Sequence, residues 1–230
     1  MDLSLFHSIP VLQGLPDELL QEIAKQSKVV EFAAGSTLLK AGDTPGYMMI
    51  VLAGTIQLNE LAEDGRVTGI SYAGTTHLLA WTSIIDSKPL LQSIVAVTAC
   101  KLLICPIKLM QNLVSSNVLL ANRFLKLATD SIRKLEQSRN MLNLPNAYHR
   151  VFMQINLLSS DAKTSTTSLP KQLDIATSVN TSRETVSRAI QMLIKSGVLR
   201  KVGHQIVIKQ ADTLKKLAID GPDAIPVIKP

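Results

Sequence analysis

The stretch Ile175–Ile208, IATSVNTSRETVSRAIQMLIKSGVLRKVGHQIVI, decides the fold of the second half of this chain. Its pattern predicts a short helix, a tight turn, a second helix and a two-stranded wing. Ser182 can cap the second helix, because a serine hydroxyl accepts a hydrogen bond from a free N–H of the first turn. Ser196-Gly197 ends that helix, and two short strands follow around Gly203-His204. This order predicts a winged helix-turn-helix.

The second helix separates polar from apolar residues. Its first two turns carry a polar side made of Arg183, Glu184, Ser187 and Arg188. Its opposite side is apolar and consists of Val186, Ala189, Ile190 and Leu193. Arginine can donate two hydrogen bonds to guanine and glutamate can accept one from cytosine, so the polar side predicts base contacts in a DNA major groove. The alternative is a solvated helix with a Glu184–Arg188 ion pair. Ala176 and the turn residue Asn180, which tolerates left-handed geometry, favour the helix-turn-helix.

Charge is distributed unevenly along the 230 residues. Residues 1–100 carry five Lys/Arg and ten Asp/Glu, whereas residues 101–230 carry nineteen and eight. A basic segment suits contact with a phosphate backbone, so double-stranded DNA is the partner expected for the second half. The length is sufficient for two domains, each with its own core.

Several classes of protein are disfavoured by the sequence. There is no signal segment at the start, and the most hydrophobic run, Ile94–Ile107, is interrupted by Lys101 and Pro106 and is too short to span a bilayer. Two cysteines do not make a disulfide framework, which predicts a cytoplasmic location without membrane contact. No P-loop, HExxH motif or nucleophile elbow is present, so we expect neither catalytic residues nor a metal site.

The first half predicts short strands after an opening helix that starts at Pro16 and runs through about Gln26. The predicted strands are Val29–Phe32, Thr37–Lys40, Tyr47–Leu52, Thr55–Leu61 and Val67–Tyr72. Turn residues such as Gly35, Gly42, Gly54 and Gly65 separate them. Short strands at this spacing predict an antiparallel barrel or sandwich, and hence an α+β protein.

A long helix is predicted from Asn117 to about Leu142, after a shorter one at Ile107–Val114. Residues at alternating steps of three and four predict a dimer seam, made of Ala121, Phe124, Ala128, Ser131, Leu135, Ser138 and Leu142. A second stripe is expected to pack on the chain's own barrel and consists of Val118, Leu125 and Ile132. Two stripes favour a homodimer over an internal core helix.

The helix ends at the hinge Leu144-Pro145-Asn146, which predicts three parts: an effector domain 1–115, a dimerisation helix 116–143 and a DNA-binding domain 144–230. Within the last part we expect a helix from Ala147 to about Leu158, a polar loop Ser159–Ser168, and a loosely held terminus from Asp220.

Taken together, these features resemble the Crp/Fnr superfamily of bacterial transcription regulators over about residues 5–218. Residues 182–188, SRETVSR, closely match the family's recognition-helix motif, and Phe32, Tyr47 and the four turn glycines match its strand spacing. Asn180 stands where the family has glycine. The resemblance implies a jelly-roll domain similar to cyclic-nucleotide-binding domains, a dimerisation helix and a winged helix-turn-helix.

The resemblance also assigns roles. Arg183, Glu184 and Arg188 would read bases, while Ser182, Thr185 and Ser187 would support phosphate or nearby base contacts. Relatives read half-sites containing TGA, so a two-fold dimer would bind a palindromic operator whose major grooves are about 34 Å apart. The expected phosphate contacts are Lys171, Gln172, Arg200, Lys201 and His204. Activators of the family touch RNA polymerase through exposed loops; activation or repression stays open.

The effector pocket departs from the family pattern. Cyclic-nucleotide-binding relatives carry a Gly-Glu pair and, about ten residues later, an Arg-Ser/Thr pair, where this chain has Ala80-Trp81 and Leu90-Leu91. A buried cyclic phosphate needs a cation and a hydroxyl, so cyclic AMP is not expected to bind. Together with Leu78 and Leu79, these residues either fill a vestigial pocket or line a site for an apolar or aromatic effector.

Other kinds of sensor remain as alternatives. Family members include haem and iron–sulfur sensors, and His77, Cys100 and Cys105 invite comparison with them. An iron–sulfur cluster needs about four cysteines, and cysteines in an apolar strand usually act as small hydrophobic residues. Haem ligation by His77 and a ligand-binding module with a protein output are kept open, but no cofactor is expected.

Overall fold

The computed structural model describes residues 2–61, 67–160, 166–167, 169–202 and 205–224, and the chain divides into two compact units, residues 1–132 and 133–230. In the first unit the elements are α1 (Leu3–His7), α2 (Asp17–Gln26), β1 (Lys28–Phe32), β2 (Thr37–Leu39), β3 (Tyr47–Ala53), β4 (Ile56–Leu61), β5 (Val67–Ala73), β6 (Leu78–Leu79), α3 (Ser83–Asp86), β7 (Gln92–Ala96), β8 (Cys100–Pro106) and α4 (Ile107–Ser116). Helix α5 (Val118–Leu142) starts in this unit and ends in the next.

The second unit continues with α6 (Ala147–Ser160), β9 (Thr166–Thr167), α7 (Gln172–Ser178), α8 (Arg183–Lys195), β10 (Leu199–Val202), β11 (Gln205–Ile208), α9 (Ala211–Asp220) and a 3₁₀ turn (Pro222–Ala224). The division into parts at residues 115 and 143 stays a prediction. Helix α5 ends at Leu142, and the boundary between the two compact units falls within it, after Ile132.

The strands of the first unit form two antiparallel sheets of four, with orders β1-β8-β3-β6 and β2-β7-β4-β5. Among the described residues the two sheets do not close into one cylinder, and the predicted α+β architecture with an antiparallel jelly roll is confirmed. Successive residues of β3 and β8 point to opposite faces of their sheet. One face packs against the other sheet through Met49, Val51, Leu102 and Ile104, and the opposite face packs against helices through Met48, Ile50, Leu103 and Cys105.

Burial on both faces explains the apolar run that ends at Ile107. A strand covered by a sheet on one side and helices on the other has no solvent face, so polar alternation disappears. The tight approach at the β3–β4 turn requires Gly54, whose φ is +94°; a Cβ there would lie 2.5 Å from the Ala99 carbonyl oxygen. That turn is therefore restricted to glycine for both conformational and steric reasons.

Helix α5 presents a different face from the one that the sequence predicted. Phe124, expected in the dimer seam, is 2% exposed and packs with Leu120 in the core of its own unit. The stripe expected to pack on the barrel is instead exposed: Val118 at 77%, Leu125 at 65% and Ile132 at 57%. The assignment of Phe124 to the dimer seam and that of the second stripe to the barrel were wrong for one reason: the helix rests on the unit through the Leu120–Phe124 edge, and Leu125 lies a further 100° around it. The other predicted seam residues stay a prediction.

The exposed residues form a regular heptad pattern. Val118, Leu125 and Ile132 alternate at steps of three and four with Ala121, Ala128 and Leu135 of the predicted seam. Leu142, of the same seam, follows Leu135 by seven residues, because Arg139 stands at the position between them. Leu135 and Leu142 are exposed, as are the predicted seam residues Ser131 and Ser138, which lie beside this stripe. A heptad stripe of this kind is the pattern of a coiled-coil contact. We call the seven apolar residues the α5 seam.

The second unit has its own core, built by α6, α7, α8 and α9 around Phe152, Ile155, Val186 and Leu193. Three features go beyond the sequence predictions. Helix α6 continues to Ser160, into the predicted loop, and Thr166–Thr167 adds a third strand to the two-stranded wing, in the order β10-β11-β9. Helix α9 had not been predicted, and it includes Asp220, from which a loose terminus was expected.

Candidate nucleic-acid interface

The start of α8 is fixed by its cap. Ser182 has extended geometry, and its Oγ accepts a hydrogen bond from the Thr185 N–H at 3.2 Å. The hydroxyls of Ser182 and Thr185 are also within hydrogen-bonding distance, at 3.1 Å. The predicted cap is confirmed. The hydroxyls of Ser182 and Thr185 both take part in it, at the N-terminal end of α8, where the polar side chains also lie.

The turn between α7 and α8 depends on a residue in the left-handed region. Asn180 has φ +49°, a conformation that asparagine adopts more readily than most residues. The Thr181 N–H donates to the Ala176 carbonyl at 2.9 Å, which closes the turn after α7. Val179 is fully buried beneath it. The turn predicted around Asn180 is thus confirmed.

Helix α8 is held from behind by its apolar side. Val186, Ala189, Ile190 and Leu193 are all at most 4% exposed. The polar side faces outward: Arg183, Glu184 and Arg188 are exposed, and Ser187 is half-buried. A rigid core behind an exposed polar face keeps the side chains in a defined arrangement relative to any surface that the helix enters.

Five side chains from two helices meet in one groove. They are Gln172 from α7 and Arg183, Glu184, Ser187 and Arg188 from α8. Two guanidinium groups, a carboxylate, an amide and a hydroxyl together offer several donors and acceptors over a short distance. The structure therefore brings together five of the eleven residues predicted to contact DNA, and their roles remain a proposal. We call this surface the α8 groove.

The electrostatics of the α8 groove keep Glu184 ionised. Its pKa is lowered, chiefly because the carboxylate accepts a hydrogen bond from its own backbone N–H, and further by the Ser182 side chain and the nearby charges of Arg183 and Arg188. Arg188 Nε lies 3.4 Å from the backbone oxygen of Glu184. Within the described part of the chain, this guanidinium makes no ion pair with the Glu184 carboxylate, so both charges are available to a ligand.

The predicted phosphate contacts are spread more widely. Lys171 precedes α7 and is exposed, and Arg200 and Lys201 are exposed on β10 of the wing. His204, predicted for the same role, lies outside the described residues. The positive side chains of Lys171, Arg200 and Lys201 lie on elements that flank α8 in the chain, as a phosphate-contacting rim would require.

One residue of this unit was missed by the sequence predictions. Arg150 on α6 donates hydrogen bonds to backbone carbonyls of the turn, from Nε to Val179 at 2.8 Å and from Nη2 to Asn180 at 3.1 Å. The available signal was that Arg150 is the one Lys, Arg, Asp or Glu in the fourteen residues of α6. A lone charge on such a helix indicates a specific structural partner.

The predicted effector-pocket residues do not form one lining in the first unit. Leu79, Ala80 and Leu90 belong to the core between the sheets, whereas Leu78 and Trp81 belong to the core beneath the helices. Trp81 lies against Phe124, with ring centroids 6.2 Å apart. Leu91 is 86% exposed, so its assignment to a pocket was wrong. Leu91 lies in a bend just before β7, whereas Leu90 packs against the core between the sheets.

The residues considered for haem or redox sensing differ in their exposure to solvent. His77 is exposed. Cys100 and Cys105 are buried and free, and burial raises the pKa of the Cys105 thiol to about 11 despite a hydrogen bond from Ser27. Within the described ranges, no group of three or more His, Cys, Asp or Glu side chains could hold a metal ion. In the same part of the chain, no helix is long and apolar enough to cross a membrane.

Comparisons with known proteins agree with this architecture. Residues 29–117 match the cyclic nucleotide-binding domain family, and residues 149–217 match the Crp-like helix-turn-helix domain family. A CRP-like cAMP-activated global transcriptional regulator of Mycobacterium tuberculosis is 22% identical over 214 residues, covering 90% of this chain and 96% of the relative.

Solved structures share the fold. FixK2 from Bradyrhizobium japonicum has a TM-score of 0.73 at 20% identity, covering 83% of this chain and 96% of its own. A CooA mutant from Carboxydothermus hydrogenoformans has a TM-score of 0.67 at 17% identity, with coverages of 89% and 91%. The two matched domains, in this order and joined by a long helix, establish that the chain belongs to the Crp/Fnr superfamily and is a Crp-like transcription regulator with a DNA-binding helix-turn-helix domain.

Proposed function

We propose that this chain is a homodimeric regulator whose α8 reads an inverted repeat of TGA-containing half-sites and which acts without cyclic AMP. The observation that carries the proposal is the α8 groove, where Arg183, Glu184 and Arg188 stand exposed on a helix fixed by its cap and its buried side. The chemistry of these three groups matches base edges, because guanidinium groups donate to guanine and a carboxylate accepts from cytosine.

Sequence preference follows from the fixed spacing of these groups. Glu184 and Arg188 are one helical turn apart, so they face neighbouring base pairs of a half-site when α8 enters the major groove. Arg183, at the first position of α8, and Gln172, from α7, widen the same surface. Lys171, Arg200 and Lys201 would add phosphate contacts that strengthen binding without specifying sequence.

Dimerisation is supported by the α5 seam. A single chain leaves Val118, Leu125, Ile132 and Leu135 more than half exposed on one stripe of one helix. Pairing two such stripes about a two-fold axis removes them from water, and Ala121 and Ala128 allow close approach. A two-fold dimer presents two copies of α8, which is why the proposed operator is an inverted repeat.

Independence from cyclic AMP rests on the chemistry of the replaced residues. At the positions where relatives bind ribose and phosphate, this chain has Ala80-Trp81 and Leu90-Leu91. These residues do not fit a cyclic nucleotide, because they offer no cation or side-chain hydroxyl to the phosphate, and an unpaired buried anion costs several kcal/mol. The packing of Leu79, Ala80 and Leu90 between the sheets favours a filled, vestigial pocket over a site for an apolar effector.

Other aspects of the proposal follow from its class. Regulation of a bacterial chromosome implies a cytoplasmic location, contact with RNA polymerase if the protein activates transcription, and no enzymatic role. Haem or redox control stays a weaker alternative, since His77 is exposed and the Cys105 thiol is buried with a raised pKa, the opposite of a reactive cysteine.

The experiment that tests the proposal is selection of bound duplexes from a random pool by the purified protein, with no added nucleotide. We expect enrichment of an inverted repeat with TGA in each half. Arg188→Glu should abolish the enrichment, whereas Lys195→Glu, an equal charge reversal at the far end of α8, should reduce affinity without changing the selected sequence. Enrichment that depends on added cyclic AMP, or that survives Arg188→Glu unchanged, would contradict the proposal.

A further inference from the structure

Four backbone carbonyls converge on the guanidinium of Arg150. Two belong to the turn before α8, namely Val179, which accepts from Nε at 2.8 Å, and Asn180, which accepts from Nη2 at 3.1 Å. The other two belong to the segment between α5 and α6, where Nη1 donates to Leu144 at 2.7 Å and lies 3.4 Å from the Pro145 oxygen. One side chain thus joins two segments that are 35 residues apart in the sequence.

The fork geometry of arginine makes this contact possible. A guanidinium donates in several fixed directions in one plane, whereas a lysine ammonium donates from a single point. Charge-assisted hydrogen bonds are also stronger than neutral ones. The accepting turn contains Asn180 in the left-handed region, a conformation that needs support from its surroundings. Arg150 supplies that support from behind the turn.

The second segment bound by Arg150 continues directly from the long helix. Met141, in the last turn of α5, is 2% exposed and packs in the same core as Val179 and Val186. Residue 150 is itself held at the start of α6, where Asn146 Oδ1 accepts from the Tyr148 N–H at 2.8 Å. The end of α5, the start of α6 and the turn before α8 are therefore tied together at one point.

We propose that Arg150 is a positioning residue that locks the turn before α8 to the segment that follows α5, so that the α8 groove keeps a fixed direction relative to the last turn of that helix. Its effect on DNA reading rests on the function proposed above. The locking of the turn is independent of DNA and can be measured in the free protein.

The first test is amide hydrogen exchange in the full-length protein without DNA. Arg150→Met removes the fork but keeps a long side chain, and it should accelerate exchange at Thr181 by about tenfold or more relative to Leu193 in the core of α8. Arg150→Lys should restore this ratio only in part. The control is Val151→Ala. Val151 is next to Arg150 and fully buried, so its truncation should destabilise the whole unit and raise the exchange rates of both amides by the same factor.

The second test measures DNA binding at a temperature where all variants are folded. For Arg150→Met we expect the affinity ratio between the selected operator and a scrambled duplex to fall about tenfold or more, since a loosened turn misdirects base contacts while phosphate contacts persist. Val151→Ala should keep the wild-type ratio. Arg150→Lys, which keeps the charge, provides the same comparison if the methionine variant fails to fold.

The outcomes separate the two proposals. An unchanged Thr181 to Leu193 exchange ratio in the arginine variants overturns the locking role. A raised exchange ratio with unchanged operator preference overturns the positioning of α8. If the wild-type protein prefers no operator, the proposed function fails, and the exchange experiment still decides whether Arg150 locks the turn.

Discussion

The α5 seam predicts that a single charge at its centre will separate the dimer. We choose Leu125→Glu, because Leu125 lies between Ala121 and Ala128 on the stripe and is 65% exposed in one chain. Its side chain is not needed for the core of its own unit, where Leu120 and Phe124 make the contacts. The substitution should therefore leave each protomer folded.

The size of the effect follows from the area that dimerisation would cover. Fully burying a leucine contributes about 1.5–3 kcal/mol, so covering the exposed two-thirds of Leu125 contributes about 1–2 kcal/mol in each protomer. The two-fold axis doubles this contribution to about 2–4 kcal/mol, before adding the repulsion between two glutamates. We therefore expect the dimer dissociation constant to rise by about 30-fold to 1,000-fold or more.

Sedimentation equilibrium over a range of protein concentrations measures that constant directly. The matched control is Lys126→Glu, an adjacent exposed residue off the stripe with a larger change of charge, which should leave the dissociation constant within about threefold. Circular dichroism and thermal unfolding check that both variants are folded. A dimer constant unchanged by Leu125→Glu, or weakened equally by Lys126→Glu, would refute the assignment of the seam.

Three further predictions concern single residues. Because the pKa of Glu184 is lowered, the interactions of its carboxylate persist below the ordinary glutamate pKa and are lost only as pH falls through the lowered pKa. Operator discrimination, measured by fluorescence anisotropy, should therefore stay constant from about pH 8 to about pH 5. Burial raises the pKa of Cys105 to about 11, so the neutral thiol contributes fully to stability below the ordinary thiol pKa. The free energy of unfolding, measured by denaturant titration, should fall by about 2–3 kcal/mol as pH rises toward 11, and Cys105→Ala should remove this pH dependence. Gly54→Ala would place a Cβ 2.5 Å from the Ala99 oxygen and should lower the free energy of unfolding by about 2 kcal/mol or more. Gly35 also has a positive φ, +82°, but has open space around it, so Gly35→Ala should lower this free energy by only about 1 kcal/mol. Equal losses of stability in thermal unfolding would contradict the steric explanation.

The parts of the site predicted correctly are those that local rules control. Ser182 as a cap and the left-handed turn at Asn180 depend on neighbouring residues within one turn of the chain. The apolar side of α8 follows from a period of 3.6 residues, because this short helix has one apolar face and therefore one way to bury it. The exposure of the polar side chains of α8 followed once that face was identified.

The errors arose where one segment allowed more than one packing. Helix α5 has apolar residues on several faces, and sequence spacing does not say which face meets the sheets. The structure buries Phe124 and leaves Leu125 exposed. Similarly, Leu90 and Leu91 are alike in sequence, but Leu90 packs against the core between the sheets, whereas Leu91 lies exposed in the bend before β7. In both places the contact surface of a distant element decided the outcome.

The sequence by itself determined the two domain types, the polar side of α8 that we propose faces DNA, and the apolar character of Ala80-Trp81 and Leu90-Leu91, because each depends on residue chemistry and short-range spacing. Only the tertiary structure decided which stripe of α5 stays exposed and which residue supports the turn before α8. Arg150 bonds to carbonyl groups, which every residue carries, so its partners leave no trace in the sequence. Their choice depends on how the chain brings residues 144–145 and 179–180 to the same side chain.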